Sequence, residues 1–120
     1  MFELSKKFRF DAAHTLQRKV DAGPSRRIHG HSYCAEITVR GERDARGMVI
    51  DLGLLDRAMA DARENLDHHF LDEIADLGPA TMENLCVWIW RRLENACPGL
   101  CRVTVSRESD GSACAYFGPA

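Results

Sequence analysis

The sequence predicts an α+β fold, an antiparallel sheet with two helices on one of its faces. Segments near both ends of the chain alternate apolar and polar side chains, as strands with one buried face do. They are residues 2–14, 29–40, 101–109 and 113–117. Two segments of helical periodicity lie between them. Two helices give too few crossovers for a parallel sheet, so we expect antiparallel pairing.

The first half of the chain predicts two long strands. In the first, Phe8, Phe10 and His14 share one parity, so His14 lies on the apolar face or just beyond it. Residues 15–28 contain Gly23-Pro24 and four basic side chains, which indicates a loop. The second strand begins at His29, and the residues GERDARG then lead to a short predicted strand, MVID at 48–51.

Both helices follow this region. Asp51 is placed to cap the first. Its apolar residues recur at helical spacing and form one stripe: Leu52, Leu55, Met59, Ala62 and Leu66. The second helix is predicted to start near Thr81 and to be stopped by Pro98-Gly99. The last two strands are joined by the turn residues SDGS.

Bulk composition narrows the classes of function. A chain of 120 residues is expected to form one domain, residues 1–120. The net charge of −2 gives no reason to expect a nucleic acid or an anionic membrane as partner. There is no apolar run of membrane-spanning length and no signal-peptide pattern at the start, so a cytoplasmic location is expected. The five cysteines include no CxxC pair and are expected to be reduced and mostly buried.

Three histidines suggest a metal site. His29 and His31 share strand parity, so both imidazoles point to one face, and Gly30 between them lets another group approach closely. His14 supplies a third imidazole if the first two strands are neighbours. Three imidazoles with an open fourth position are typical of catalytic zinc. The HxH spacing also occurs in ordinary strands, so the spacing leaves both interpretations open.

Two further groups carry candidate chemistry. Asp67 precedes His68 at the end of the first helix, an arrangement that suits a base oriented by a carboxylate. The alternative is that histidines near a helix C-terminus are simply favourable there. Glu108 is either a solvated charge or a carboxylate that binds an amidine-like edge through paired hydrogen bonds.

Six blocks of sequence together resemble one family over essentially the whole chain. They are FDAAH (10–14), HGHSY (29–33), VIDLGLL (49–55), LDHHFLDEI (66–74), PATMENLCVWIW (79–90) and VSRES (105–109). In order and spacing they resemble the 6-pyruvoyl-tetrahydropterin synthase / 6-carboxy-tetrahydropterin synthase family. The resemblance implies the tunnelling fold, a four-stranded antiparallel sheet with two helices on one face. It also implies that trimers close their sheets into a barrel and pair into hexamers.

The resemblance further implies a site. Zinc is bound by residues that match His14, His29 and His31, and a carboxylate that matches Glu108 grips the pterin ring. The turn containing Thr81 and Glu83 resembles the rest of that pocket. An aspartate and histidine that match Asp67 and His68 complete a proton relay from another subunit. The implied substrate is 7,8-dihydroneopterin triphosphate or a related reduced pterin. The bacterial branch forms 6-carboxy-tetrahydropterin, with acetaldehyde and triphosphate, on the route to queuosine.

One position departs from the family pattern. The family usually carries a catalytic cysteine four residues before HGH, where this chain has Ser25. A serine hydroxyl needs a strong base to react, whereas a thiol is partly ionised near neutral pH. Three hypotheses therefore remain: a zinc-dependent pterin lyase, a pterin-binding paralogue with lost or altered activity, and a purely structural domain that binds no metal.

Overall fold

A four-stranded antiparallel sheet forms one layer of the computed structural model, which describes residues 1–120. Its strand order is β1-β2-β3-β4. The strands are β1 (Phe2–His14), β2 (His29–Gly41), β3 (Leu100–Arg107) and β4 (Ser112–Tyr116). Two long helices pack on one face of this sheet, which confirms the predicted fold class. None of the helices is long and apolar enough to cross a membrane.

The helices are α1 (Ala22–Arg26), α2 (Leu52–Leu66) and α3 (Met82–Leu93), with a 3₁₀ turn at Leu71–Glu73 between the last two. The predicted stripe of α2 is buried at Leu55, Met59, Ala62 and Leu66. Asp51 caps α2 by accepting from the Gly53 amide at 2.8 Å, as expected. α3 ends at Leu93, five residues before Pro98, because Glu94 already acts as its C-cap.

Two local predictions were wrong. Residues 48–51 form no strand; the Met48 amide and carbonyl bond back to Asp44 and close a turn. Val49 and Ile50 pack against the core without joining the sheet. Their apolar side chains therefore reflect contact with the core and not membership of a strand. In the predicted loop 15–28, residues Ala22–Arg26 form α1, which is too short to produce a periodic pattern.

The sheet face under the helices leads directly to the candidate site. Phe8, Phe10 and Ala12 of β1 are buried there, and His14 continues the same row. α2 ends and α3 begins at this end of the sheet: the His68 amide donates to the Asp11 carbonyl, and the Ala80 carbonyl contacts His14. The three histidines therefore lie where the helical layer stops and the core face opens to solvent.

Candidate metal centre

The pairing of β1 with β2 brings the three histidines together. His14 lies directly opposite His29, and His31 lies opposite Ala12, two residues earlier on β1. The ring centroids are 4.5 Å apart for His14 and His29, 4.8 Å for His14 and His31, and 5.0 Å for His29 and His31. One nitrogen from each ring lies within 4.8 Å of the other two. The three histidines that the sequence suggested as a metal site thus form a compact cluster.

Backbone carbonyls orient two of the rings. Nδ1 of His14 lies 2.8 Å from the Ala80 carbonyl, and Nδ1 of His29 lies 2.7 Å from the Arg27 carbonyl. Because a carbonyl only accepts, both Nδ1 atoms are assigned as donors, which leaves Nε2 of each ring with its lone pair. Metal-binding histidines are typically oriented in this way.

The donor set fits a metal ion. Nε2 of His14 is buried and has no hydrogen-bond partner. A buried acceptor without a partner is rare and costly, on the order of 1–3 kcal/mol. A cation bound by the three imidazoles provides that missing partner, and three neutral nitrogens with open positions are the ligand set of catalytic zinc.

Burial keeps two of the rings neutral. It lowers the pKa of His14, although the hydrogen bond to Ala80 opposes the shift. Burial, followed by the charge of Arg107, lowers the pKa of His31 to about 4. Tyr33 packs under the cluster, and burial raises its pKa to about 12. Near neutral pH, His14 and His31 are therefore uncharged, the form that a metal requires.

Arg107 is the neighbour that sequence reasoning missed. Its Nη1 donates to Nε2 of His31 at 3.3 Å, and its Nη2 lies 3.2 Å from a carboxylate oxygen of Asp110. The signal was present in β3: Arg107 shares strand parity with the buried Val103 and Val105 and so points to the same face.

Ser25 lies on α1 beside the cluster. It helps to line a cavity of about 750 Å³ together with His29, His31 and Arg107. Its hydroxyl lies 2.9 Å from the Ala22 carbonyl and 3.1 Å from the Leu16 carbonyl. The single hydroxyl hydrogen is thus donated to backbone, and no side-chain base contacts it. Ser25 holds the loop before β2 in place.

Asp67 and His68 form the predicted pair. Nδ1 of His68 lies 2.9 Å from the Asp67 carboxylate, which also accepts from the Asp11 amide at 2.9 Å and from Arg63 at 3.1 Å. The Asp11 amide and the His68 contact hold the pKa of Asp67 below its usual value. The His68 side chain is 80% exposed. It borders a shallow depression whose lining includes His31, but neither residue of the pair hydrogen-bonds to the triad.

The proposed pterin-contacting residues lie apart from the triad within one chain. Glu108 is exposed and pairs with Arg9 at 2.8 Å, on the sheet face opposite the helices. Thr81 caps α3 by accepting from the Asn84 amide at 3.1 Å. Glu83 is exposed in the first turn of α3. Thr81 is linked to the cluster only through its neighbour Ala80, whose carbonyl holds His14.

Comparisons with known proteins agree on one family. The family model described as 6-pyruvoyl tetrahydropterin synthase matches residues 3–119. The 6-carboxy-5,6,7,8-tetrahydropterin synthase of Synechocystis sp. is 37% identical, and the match covers 99% of this chain and 95% of that protein. Human 6-pyruvoyl tetrahydrobiopterin synthase is 32% identical, with 97% of this chain and 91% of the human protein covered.

Two further relatives extend this picture. The dihydroneopterin monophosphate aldolase of Pyrococcus furiosus is 36% identical, over 75% of this chain and 73% of that protein. The solved structure of 6-pyruvoyl tetrahydropterin synthase from Caenorhabditis elegans superposes with a TM-score of 0.85 at 25% identity, covering 98% of this chain and 96% of the other. The relatives named here are thus two kinds of synthase and one aldolase.

Proposed function

Because the chain belongs to the 6-pyruvoyl tetrahydropterin synthase family, whose members are lyases that act on pterins, we propose that it is a zinc-dependent pterin lyase. The proposed activity resembles that of 6-carboxy-5,6,7,8-tetrahydropterin synthase, with 7,8-dihydroneopterin triphosphate or a related reduced pterin as substrate. The relative of that name combines 37% identity with nearly complete coverage of both chains. The observation that carries the proposal is the triad of His14, His29 and His31 with its buried, unpartnered nitrogen.

Each residue has a proposed role. The three imidazoles hold Zn²⁺, which supplies Lewis-acid polarisation of the oxygens on the substrate side chain. Asp67 orients His68 through Nδ1, so that Nε2 of His68 is the atom that accepts and returns protons. Glu108 binds the amidine-like edge of the pterin through paired hydrogen bonds, with Thr81 and Glu83 forming the rest of the pocket.

We further propose that the site is shared between subunits. Glu108 and the Asp67-His68 pair do not contact the triad of their own chain. A homo-oligomer, a trimer or a hexamer whose sheets join edge to edge into a barrel, is the arrangement that the family resemblance implies. In such an assembly a neighbouring chain supplies the groups that one chain leaves distant, and no open sheet edge remains.

The test combines metal analysis with product analysis. Purified protein is expected to carry about one zinc per chain. It is also expected to convert 7,8-dihydroneopterin triphosphate into a product that mass spectrometry identifies. His14→Ala should lose the zinc and the activity. His69→Ala is the matched control, because His69 is exposed and outside the cluster. Zinc-loaded protein that is inactive on dihydroneopterin triphosphate, its monophosphate and sepiapterin would contradict the lyase proposal.

Ser25 separates the lyase from the non-catalytic alternative. If the chain binds pterins without turnover, Ser25→Cys should introduce measurable activity, because a thiol supplies the nucleophile or base that a backbone-bonded hydroxyl does not. If the unmodified chain is already active, its chemistry does not need a cysteine at this position. Product analysis of both proteins side by side decides between these outcomes.

A further inference from the structure

Arg107 and a metal ion compete for the same lone pair. Nη1 of Arg107 donates to Nε2 of His31 at 3.3 Å. A neutral imidazole has a single acceptor nitrogen, so Nε2 can accept from Arg107 or bind a metal, but not both. Metal binding at Nε2 therefore releases a hydrogen-bond donor of Arg107 at the edge of the site.

The released donor stays in the cavity. Nη2 of Arg107 is tethered to Asp110 at 3.2 Å, and the side chain is only 17% exposed. Its Nε is buried without a partner. The guanidinium is therefore confined beside the cluster and the Tyr33 hydroxyl, where Nη1, once released from His31, is available to a ligand in the cavity.

The charges around the cavity favour an anion only after the metal has bound. Arg18 and Arg107 line it together with Asp21 and Asp110, so the two positive and two negative formal charges cancel. Arg18 forms no ion pair in this chain. A divalent metal on neutral imidazoles leaves about two positive charges, the complement of a phosphate monoester. A tetrahedral phosphate presents several pairs of oxygens and can bond to both guanidinium groups, whereas a carboxylate presents a single pair of oxygens to one guanidinium.

We propose that Arg107 is a specificity-determining residue that binds a phosphate group of the substrate next to the metal, and that metal and phosphate strengthen each other's binding through it. The proposal rests on the function proposed above, because it assigns the phosphate to the substrate of the same site. By linkage, the factor by which metal tightens phosphate binding equals the factor by which phosphate tightens metal binding.

Calorimetry on the full chain tests the coupling. The probe is methylphosphonate, titrated into metal-free and zinc-loaded protein. We expect zinc loading to tighten phosphonate binding by about tenfold or more, and Arg107→Gln to remove that gain. Without phosphonate, Arg107→Gln should bind zinc more tightly, because a competing donor and a positive charge are gone. Arg91→Gln is the control, since Arg91 is an exposed arginine of α3 outside the cavity.

Two results overturn the coupling. The first would be that zinc-loaded Arg107→Gln, shown by circular dichroism to be folded, binds phosphonate as tightly as the unmodified chain. The anion would then contact only the metal. The second would be that the folded variant binds zinc more weakly than the unmodified chain. Arg107 would then hold His31 in position for the metal and would not compete with the metal for Nε2 of His31.

A second titration identifies the source of the phosphate by comparing neopterin with neopterin monophosphate. We expect the phosphate to add about tenfold in affinity in the unmodified protein and nothing in Arg107→Gln. Equal affinity of both compounds for the unmodified protein contradicts the inference and leaves the pterin function standing. Binding of phosphonate but of neither pterin contradicts the pterin function, and the Arg107 site is then one for free phosphate.

Discussion

His14 shows how the fold prepares a side chain to bind a metal. Its side chain is fully enclosed by the core, and its Nδ1 is fixed by the Ala80 carbonyl. Its remaining lone pair has no partner within the chain. Folding without metal therefore leaves a polar atom unsatisfied, which costs on the order of 1–3 kcal/mol. That cost is removed when a cation binds, so metal binding and stability are linked.

The metal-free protein should lose stability between pH 7 and pH 5. Burial lowers the pKa of His14 and of His31, the latter to about 4. In this range the unfolded chain binds protons that the folded chain excludes, so stability falls as the pH falls. The lowered pKa of Asp67 acts in the same direction but only below its usual value of 3.8.

Urea unfolding in the presence of a chelator measures this effect. The midpoint should be lower at pH 5 than at pH 7. His31→Asn, which cannot titrate, should show a smaller difference between the two pH values, and His69→Asn should keep the full difference. Equal midpoints at both pH values for the unmodified, metal-free chain would refute the linkage.

The N-terminus of α3 connects helix capping to the candidate metal site. Thr81 accepts from the Asn84 amide, and the preceding residue, Ala80, holds His14. Asp51 caps α2 in the same way, at the opposite end of the helical layer. The two caps are thus chemically alike, but only one of them adjoins a ligand.

Removal of either cap should destabilise the fold, but only removal of the Thr81 cap should also weaken metal binding. Thr81→Ala and Asp51→Ala are each expected to cost about 1 kcal/mol of unfolding free energy. Thr81→Ala should also weaken zinc binding severalfold, because the carbonyl that orients His14 loosens; Thr81→Ser should restore both properties. Urea unfolding and competition with a chromophoric chelator give the two quantities. Equal losses of zinc affinity in Thr81→Ala and Asp51→Ala would show that α3 has no special role.

The elements also show what the sequence could predict. Periodicity identified all four strands and both long helices, and parity placed His29 and His31 on one face. That His14 joins them depended on the pairing of β1 with β2, which parity does not specify. Periodicity did not identify α1, which spans little more than one turn, and it wrongly predicted a strand at residues 48–51, which pack against the core without pairing. The contacts of Arg107 depend on which strand β3 joins, and a sequence pattern does not specify that pairing.

The proposed site residues are divided between the two faces of the sheet. The triad lies on the face that carries the helices, and Glu108 with Arg9 lies on the other. Asp67 and His68 occupy the edge of β1, where they bond to Asp11. Both outer strands also keep an unpaired edge over much of their length. These features support an assembly in which edges meet and neighbouring chains complete one another's sites.

Mixing two inactive variants tests this arrangement. His14→Ala lacks the triad and Asp67→Asn lacks the relay, so each should be inactive as a pure oligomer. In oligomers co-refolded from equal amounts, a site formed by the triad of one chain and the relay of the next is intact in roughly a quarter of cases. Activity should therefore return to roughly a quarter of that of the unmodified enzyme.

The control mixture is His14→Ala with His31→Ala. Both chains then lack a working triad, so no arrangement of subunits restores a site and activity should stay absent. Light scattering on each mixture verifies that mixed oligomers have formed. Mixed oligomers of His14→Ala and Asp67→Asn that remain inactive would show that triad and relay must belong to one chain. The separation of these residues within the chain would then have to be closed by a movement of the segment that follows α2, and not by a neighbouring subunit.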